Sequence, residues 1–300
     1  MKNLTILLLT IIVTLIACDK DSTPLDCTNT TSVFTIDLNA NNCSIDIENT
    51  LNTNSNYTES INGTQRTISV NNIPNHKVGA FPNSGNPNTI SAVSETFTVT
   101  TNPSKTNSST SGQGFSTAVL FSGVVVEPFT AEFFEGTNGK NTDWNITTLQ
   151  STRDLGLDCN NAHVQPNGRY HYHGKPSSYL ATLNVDGSQM VKVGYAADGF
   201  PIYYKYGYDT DGTTIKTYKS GYILKTEERS GDGNSAPDGC PDGYYFNDYE
   251  FDSSQSALDE CNGTTGKTPD ANSEYYYVIT DDFPSVPLCF YGTPDQSFHH

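Results

Sequence analysis

No long stretch of this 300-residue chain repeats apolar residues at helical spacing. In its place stand short alternating runs rich in Thr, Val, Ile, Tyr and Phe, broken by Asn, Gly, Pro and Asp. Successive side chains of a strand point to opposite faces, so period-two runs bounded by turn residues specify strands. Strands are predicted at Ser32–Asp37, Arg66–Val70, Glu95–Thr100, Ala118–Phe121, Val124–Val126, Val191–Val193 and Tyr276–Thr280. The fold class that follows is mostly β with little helix. It is a single large antiparallel β domain, sandwich-like or irregular, with enough length for a real core.

The beginning of the chain obeys another rule. Lys2 precedes an apolar run, Leu4 to Ile16, that is short for a membrane span. The run ends Leu15-Ile16-Ala17-Cys18, which resembles the bacterial lipobox. Residues 1–17 are therefore expected to be a lipoprotein signal peptide and Cys18 the lipidated residue; an ordinary secretory signal is the alternative. Residues 19–24 read as a solvated tether, and their Lys and Asp resemble the surface-export signal of Bacteroidota lipoproteins. The expected location is the outer membrane or cell surface of a Gram-negative bacterium, with the membrane reached through lipid. A formal charge of -17 leaves no basic stripe to meet phosphates, which excludes nucleic acid as a partner.

With Cys18 set aside, Cys27, Cys43, Cys159, Cys240, Cys261 and Cys289 remain. An even number in an exported chain favours disulfides. Cys27–Cys43 closes a short local loop, Cys261–Cys289 comes next, and Cys159–Cys240 is left by subtraction. No CxxC spacing supports a cysteine zinc site. Residues 18–60 thus read as a tether and a small Cys27/Cys43-clipped segment, and residues 65–300 as the main domain. The polar stretch Thr101–Gly114 is expected to be an exposed loop inside that domain. A faint repeat runs through it. Leu157-Asp158-Cys159-Asn160 precedes Tyr170-His171-Tyr172-His173, and Leu258-Asp259-Glu260-Cys261-Asn262 precedes Tyr275-Tyr276-Tyr277-Val278. If the repeat is real, the copy without histidines is the structural one.

Chemistry concentrates in Ala162–Gly174, AHVQPNGRYHYHG. A two-residue Asn167-Gly168 turn would require Pro166 to donate the closing hydrogen bond, and proline has no N–H. A three-residue Pro166-Asn167-Gly168 loop places proline where a type I turn favours it and glycine in the left-handed position of the following bulge. That register sets Gln165 opposite Arg169, Val164 opposite Tyr170, His163 opposite His171 and Asn161 opposite His173. Residues directly opposite in an antiparallel pair share a face. One face then carries Ala162, Val164, Tyr170 and Tyr172, and the other carries His163, His171 and His173. Neutral imidazoles suit zinc, copper or iron, and three ligands with an open fourth position is the usual arrangement of catalytic zinc. Histidines hydrogen-bonded to carbonyls under a loop are the competing, purely structural reading. His76 is a further candidate ligand, whereas His299 and His300 read as a floppy tail.

Together with these residues, several stretches give the chain a specific resemblance. They are Asn75-His76 with Gly79-Ala80-Phe81-Pro82-Asn83, Asp158-Cys159-Asn160-Asn161-Ala162-His163, Gly194 to Tyr203, and Asp282-Phe283-Pro284 with Pro287-Leu288-Cys289-Phe290. From about residue 65 to its end the chain resembles the YHYH-domain family of bacterial exported proteins, whose tetrapeptide stands here as Tyr170 to His173. The resemblance implies a domain boundary and the importance of these positions; it implies no reaction.

Asp198, in Ala197-Asp198-Gly199-Phe200, reads as a corner residue or as a carboxylate assisting the histidines as base. Asp209-Thr210-Asp211-Gly212-Thr213 resembles the start of a calcium loop, but its twelfth position is Ser220, so calcium is the weaker cofactor reading. No GxSxG elbow, P-loop or dinucleotide fingerprint is present. Two functions remain. One is an envelope lipoprotein whose His-lined pocket binds a transition metal, with metal-dependent hydrolysis as its enzymatic version. The other is a non-catalytic module holding a small molecule, glycan or peptide, with structural histidines.

Overall fold

The structure, a computed structural model, describes residues 25–300. The expected signal peptide, the lipidation residue Cys18 and the tether at 19–24 lie outside the described residues. Three antiparallel strands, β1 (Tyr57–Asn62), β2 (Gln65–Val70) and β3 (Glu95–Thr100), form a small sheet. Eight more build the main sheet. They are β4 (Ala118–Leu120), β5 (Val125–Val126), β6 (Ala162–Val164), β7 (Tyr170–Tyr172), β8 (Lys192–Ala196), β9 (Pro201–Tyr204), β10 (Gly263–Gly266) and β11 (Glu274–Ile279). Their spatial order is β10-β11-β9-β8-β4-β5-β7-β6. Helix is confined to short pieces such as α1 (Ile47–Leu51), capped by the Asp46 side chain, and α2 (Ser177–Thr182). Among the described residues no helix is long and apolar enough to cross a membrane.

The strand order is a repeated plan. In each half a hairpin (β4–β5 or β8–β9) is followed by a second hairpin (β6–β7 or β10–β11). The last strand of that second hairpin lies parallel to the second strand of the first: β7 beside β5, and β11 beside β9. The halves meet antiparallel at β4 and β8, so the sheet is mixed at two pairings. The faint sequence repeat marks the same loop in each half. Asn161 (φ 50) and Asn262 (φ 56) are both left-handed, a conformation asparagine tolerates. Each donates its N–H to an aspartate carbonyl three residues back, Asp158 and Asp259, at 2.9 Å. Tyr170 donates to Asp158 at 2.7 Å and Tyr275 to Asp259 at 3.0 Å, tying each loop to its strand.

Alternation divides the sheet into two faces. On one, Leu120, Val126, Ala162, Tyr170, Tyr172, Ile202, Tyr277 and Ile279 share a continuous core that Ile47 of α1 and Tyr179 and Leu180 of α2 help cover. The other face is covered in three parts. The small sheet packs its Ile68, Val70, Phe97 and Val99 over Val119, Val125 and Tyr195 in the middle. Met190, Tyr203, Tyr218, Leu258, Tyr276 and Val278 fill one end. At the far end lie the histidines.

Several expectations need correction. Ser32–Asp37 is no strand; Phe34 makes a single isolated bridge to Gln150. The Cys27–Cys43 clip does not form. Cys27 pairs with Cys240, Cys43 with Cys159, and only Cys261–Cys289 is as expected. Loop length alone had favoured the local clip, but the segment runs across the body. Val33 donates to the Asp242 carbonyl at 2.8 Å and Ile45 exchanges hydrogen bonds with Val78, which delivers the two cysteines to distant partners. Residues 25–60 are therefore sewn into the domain and do not stand before it as a separable segment.

Candidate metal centre

The hairpin β6–β7 has the register that proline chemistry dictates. Tyr170 faces Val164, His171 faces His163 and Tyr172 faces Ala162. Gln165 donates to the Arg169 carbonyl at 2.9 Å and Gly168 to Gln165 at 2.8 Å, closing the three-residue loop. Gly168 sits at φ 91, and a Cβ there would lie 1.8 Å from Ser91 Oγ, so only glycine fits. The chain continues past β7 with His173 donating its N–H to the Asn161 carbonyl at 2.8 Å, which keeps His173 on the same face as His171.

The three imidazoles meet. Their nearest ring nitrogens lie within 4.8 Å of one another, and ring centroids are separated by 4.6 to 4.8 Å. His163 Nδ1 lies 2.8 Å from the Leu155 carbonyl and His171 Nδ1 3.3 Å from the Arg169 carbonyl. A carbonyl only accepts, so both Nδ1 atoms carry the proton and both Nε2 atoms present lone pairs. His173 Nε2 lies 3.0 Å from His163 Nε2. In a tetrahedral site with bonds of about 2.0–2.1 Å, ligand nitrogens sit about 3.3 Å apart, so this pair already has ligand spacing. His173 Nδ1 is buried without a hydrogen bond of ordinary geometry, the Pro128 carbonyl being only a weak neighbour.

Burial holds all three imidazoles below the ordinary histidine range, His171 and His173 well below it. Their mutual repulsion adds to the effect at His171 and His173, and Arg169 adds further at His171. Glu127 pulls the other way at His163 and His173. The trio is thus held neutral, the form that binds metals.

Glu127 was missed in the sequence. It follows directly on β5, and because β5 runs parallel to β7 it arrives beside His171, with Oε2 3.7 Å from Nε2. The carboxylate is buried and pinned. Arg169 Nη2 donates to Oε1 at 2.5 Å, Ser116 Oγ donates to it at 2.9 Å, and Gln165 Nε2 donates to Oε2 at 2.8 Å. Arg169 Nε also lies 3.1 Å from Glu95 Oε2, although at an angle too poor for a hydrogen bond. The only sequence signal for Glu127 was a charged residue closing the apolar run Val124-Val125-Val126.

The trio opens on a cleft of about 650 Å³. Phe115, Phe129 and Phe133, all half-buried, line it together with Glu127, Gln165 and His300. His299 and His300 are not a loose tail: His299 bridges to Phe115, and the His300 N–H donates to the Gly114 carbonyl at 3.0 Å.

The other candidate residues do not converge here. His76 is on the tyrosine side of the sheet, with Nε2 2.6 Å from Tyr172 Oη and Nδ1 2.9 Å from the Lys77 carbonyl. Both ring nitrogens are spent, and burial lowers its pKa to about 4. Asp198 sits in the β8–β9 turn, where Tyr277 Oη donates to it at 2.6 Å and Gly292 N–H at 2.9 Å. It does not line the histidine cleft, so its part as their helper is not met. The Asp209 loop closes on itself: Asp211 accepts from the Thr213 and Thr214 amides, and Asp209 pairs with Lys216.

The model of one family, described as YHYH protein, matches residues 96–292. That is more than half of the chain, which belongs to this family. The match starts later than the residue 65 expected from the motifs and stops eight residues before His300. No curated protein and no solved structure matches the chain.

Proposed function

We propose that this member of the YHYH family is an exported, lipid-anchored envelope protein whose His163, His171 and His173 hold a transition-metal ion beside an open cleft. The observation that carries the reading is the convergence of three neutral imidazoles from one hairpin. Two of their Nδ1 protons are committed to backbone carbonyls, which leaves Nε2 as the donor atom. A backbone carbonyl or carboxylate behind a ligating histidine is the usual support of a metal site. An all-imidazole set suits zinc, copper or iron.

A bound divalent ion supplies Lewis acidity and lowers the pKa of its water, which makes metal-assisted hydrolysis the enzymatic form of the proposal. Glu127, 3.7 Å from His171, then stands where a proton acceptor is needed, held in orientation by Arg169, Ser116 and Gln165. Export rests on the sequence of residues 1–18 and on three disulfides, which persist in oxidising compartments.

Metal content by mass spectrometry on the full chain, purified without an added histidine tag, tests the centre. About one equivalent of zinc, copper or iron is expected, and a His171→Ala/His173→Ala variant that still unfolds cooperatively is expected to lose it. An empty wild-type protein after anaerobic reconstitution rejects the proposal. Labelled-palmitate incorporation that survives Cys18→Ala would reject the anchor.

Two observations favour a second reading. His173 Nε2 and His163 Nε2 already satisfy each other at 3.0 Å, and three half-buried phenylalanines line the cleft. These suit a non-catalytic module that holds a glycan or peptide. Ligand binding by a metal-free protein would select that reading.

A further inference from the structure

We propose that His300 is a fourth imidazole of the metal site, delivered by the segment 293–300 that follows the family match. The inference rests on the three-histidine reading above and adds a ligand to it.

The segment is docked by bonds that have nothing to do with its last side chain. Asp295 N–H donates to the Ala197 carbonyl at 2.9 Å, Ser116 N–H to the Phe298 carbonyl at 3.0 Å, and Thr98 N–H to Ser297 Oγ at 2.9 Å. Phe298 is fully buried and stacked on Phe97 at 4.3 Å. His299 stands edge-on to Phe115 at 4.9 Å. Backbone and neighbours are thereby fixed, and the next residue, His300, lines the cleft that the trio opens on, outside the group of three whose ring nitrogens converge. Apart from the trio it is the one imidazole lining that cleft.

Glu127 ties the two together. Its Oε2 is 3.7 Å from His171 Nε2 and its Oε1 3.7 Å from His300 Nδ1, so both rings approach opposite oxygens of one pinned carboxylate. Neither distance is a hydrogen bond, and the His300 side chain is 44% exposed, so its ring turns without breaking a bond. A carboxylate at this place also offsets the charge that a divalent ion brings to a set of neutral ligands. Three nitrogens leave a tetrahedral ion one donor short, and a tethered imidazole at the rim supplies it without loss of a free molecule's translational entropy. The resting centre then has four nitrogen ligands, and it opens to a substrate when His300 turns out.

Cobalt(II) reports this directly, because its visible bands differ between four nitrogen donors and a set containing water. The full-length protein, His300→Ala and the control His299→Ala are titrated with cobalt chloride and followed by absorption. The wild type and His299→Ala are expected to give the same spectrum and affinity. His300→Ala is expected to bind at least about 10-fold more weakly, a loss comparable to that of a supporting group at such sites, with a shifted spectrum. Added free imidazole is expected to restore the wild-type bands. Equal affinity and an identical spectrum for His300→Ala overturn the fourth ligand and leave the trio standing. A wild type that binds no cobalt overturns both.

Discussion

At one end of the main sheet, the positions facing away from the common core hold His163, His171 and His173; the register-equivalent positions at the other end hold Thr264, Tyr276 and Val278. Glu127 likewise answers to Tyr203. The tyrosine end is self-sufficient. Tyr276 Oη meets Tyr218 Oη at 2.9 Å, and Met190, Leu258 and Val278 close around them. The histidine end carries desolvated imidazoles, an orphaned His173 Nδ1 and a buried carboxylate held by an arginine. One backbone plan accepts both fillings, so the architecture does not require the polar one. A costly arrangement that the fold can do without is where a function is to be sought.

The largest effect should come from truncating each end in turn. Tyr276→Ala empties a fully buried ring and is expected to cost about 3–5 kcal/mol of stability. His171→Ala is expected to cost no more than about 2 kcal/mol in metal-free protein, because it also removes a desolvated imidazole. Denaturant unfolding in the presence of a chelator measures both. Similar losses at the two ends would break the comparison.

The anchors of the two inner tyrosines should respond to acid with opposite signs. Tyr172 bonds His76, whose pKa falls from 6.5 to about 4 on folding. The unfolded chain therefore binds the proton first, and stability is lost as pH falls from about 6.5 to 4, by as much as about 3 kcal/mol. Tyr277 bonds Asp198, whose pKa burial raises above 3.8. Here the folded state binds the proton first, and the contribution grows as pH falls through the raised value. Unfolding free energy measured against pH is expected to flatten on the acid side in His76→Gln and to steepen in Asp198→Asn. Unaltered slopes would show that neither group carries the effect.

A smaller change sharpens the contrast from the turn. Gly168→Ala forces a Cβ into Ser91 at a positive φ and is expected to cost about 1–3 kcal/mol. The same variant should loosen metal binding, since the loop sets the register that aligns the histidines. Thermal melts with and without metal separate the two effects.

Local chemistry made the hairpin legible. Pro166 and Gly168 decide a register, the register decides a face, and the face gathers three histidines without any knowledge of the rest. The β class and most strand positions followed from alternation in the same way. Glu127 could not be read, because its place beside His171 depends on a parallel pairing across some 40 intervening residues. His300 was misread since nothing in Ser297-Phe298-His299-His300 announces that Phe298 is a core residue. His76 and Asp198 were sequence neighbours of the right motifs, but they lie on other surfaces of the sheet and serve tyrosines. The pairings of Cys27, Cys43, Cys159 and Cys240 failed because loop length measures only the unfolded chain, while pairing is set by where the folded backbone passes.

That pairing has a temporal side. Synthesis runs from the amino terminus, so Cys27 and Cys43 exist together long before Cys159, and Cys240 later still. Among the six cysteines that end in bridges, the first pair to exist together is one that the finished molecule does not join. The native partner of Cys27 arrives 213 residues behind it. If the proposed export delivers the chain to an oxidant amino terminus first, maturation passes through thiol exchange or through protection of the early cysteines, and the yield of correctly bridged protein is then expected to depend on an isomerase more than on the rate of oxidation.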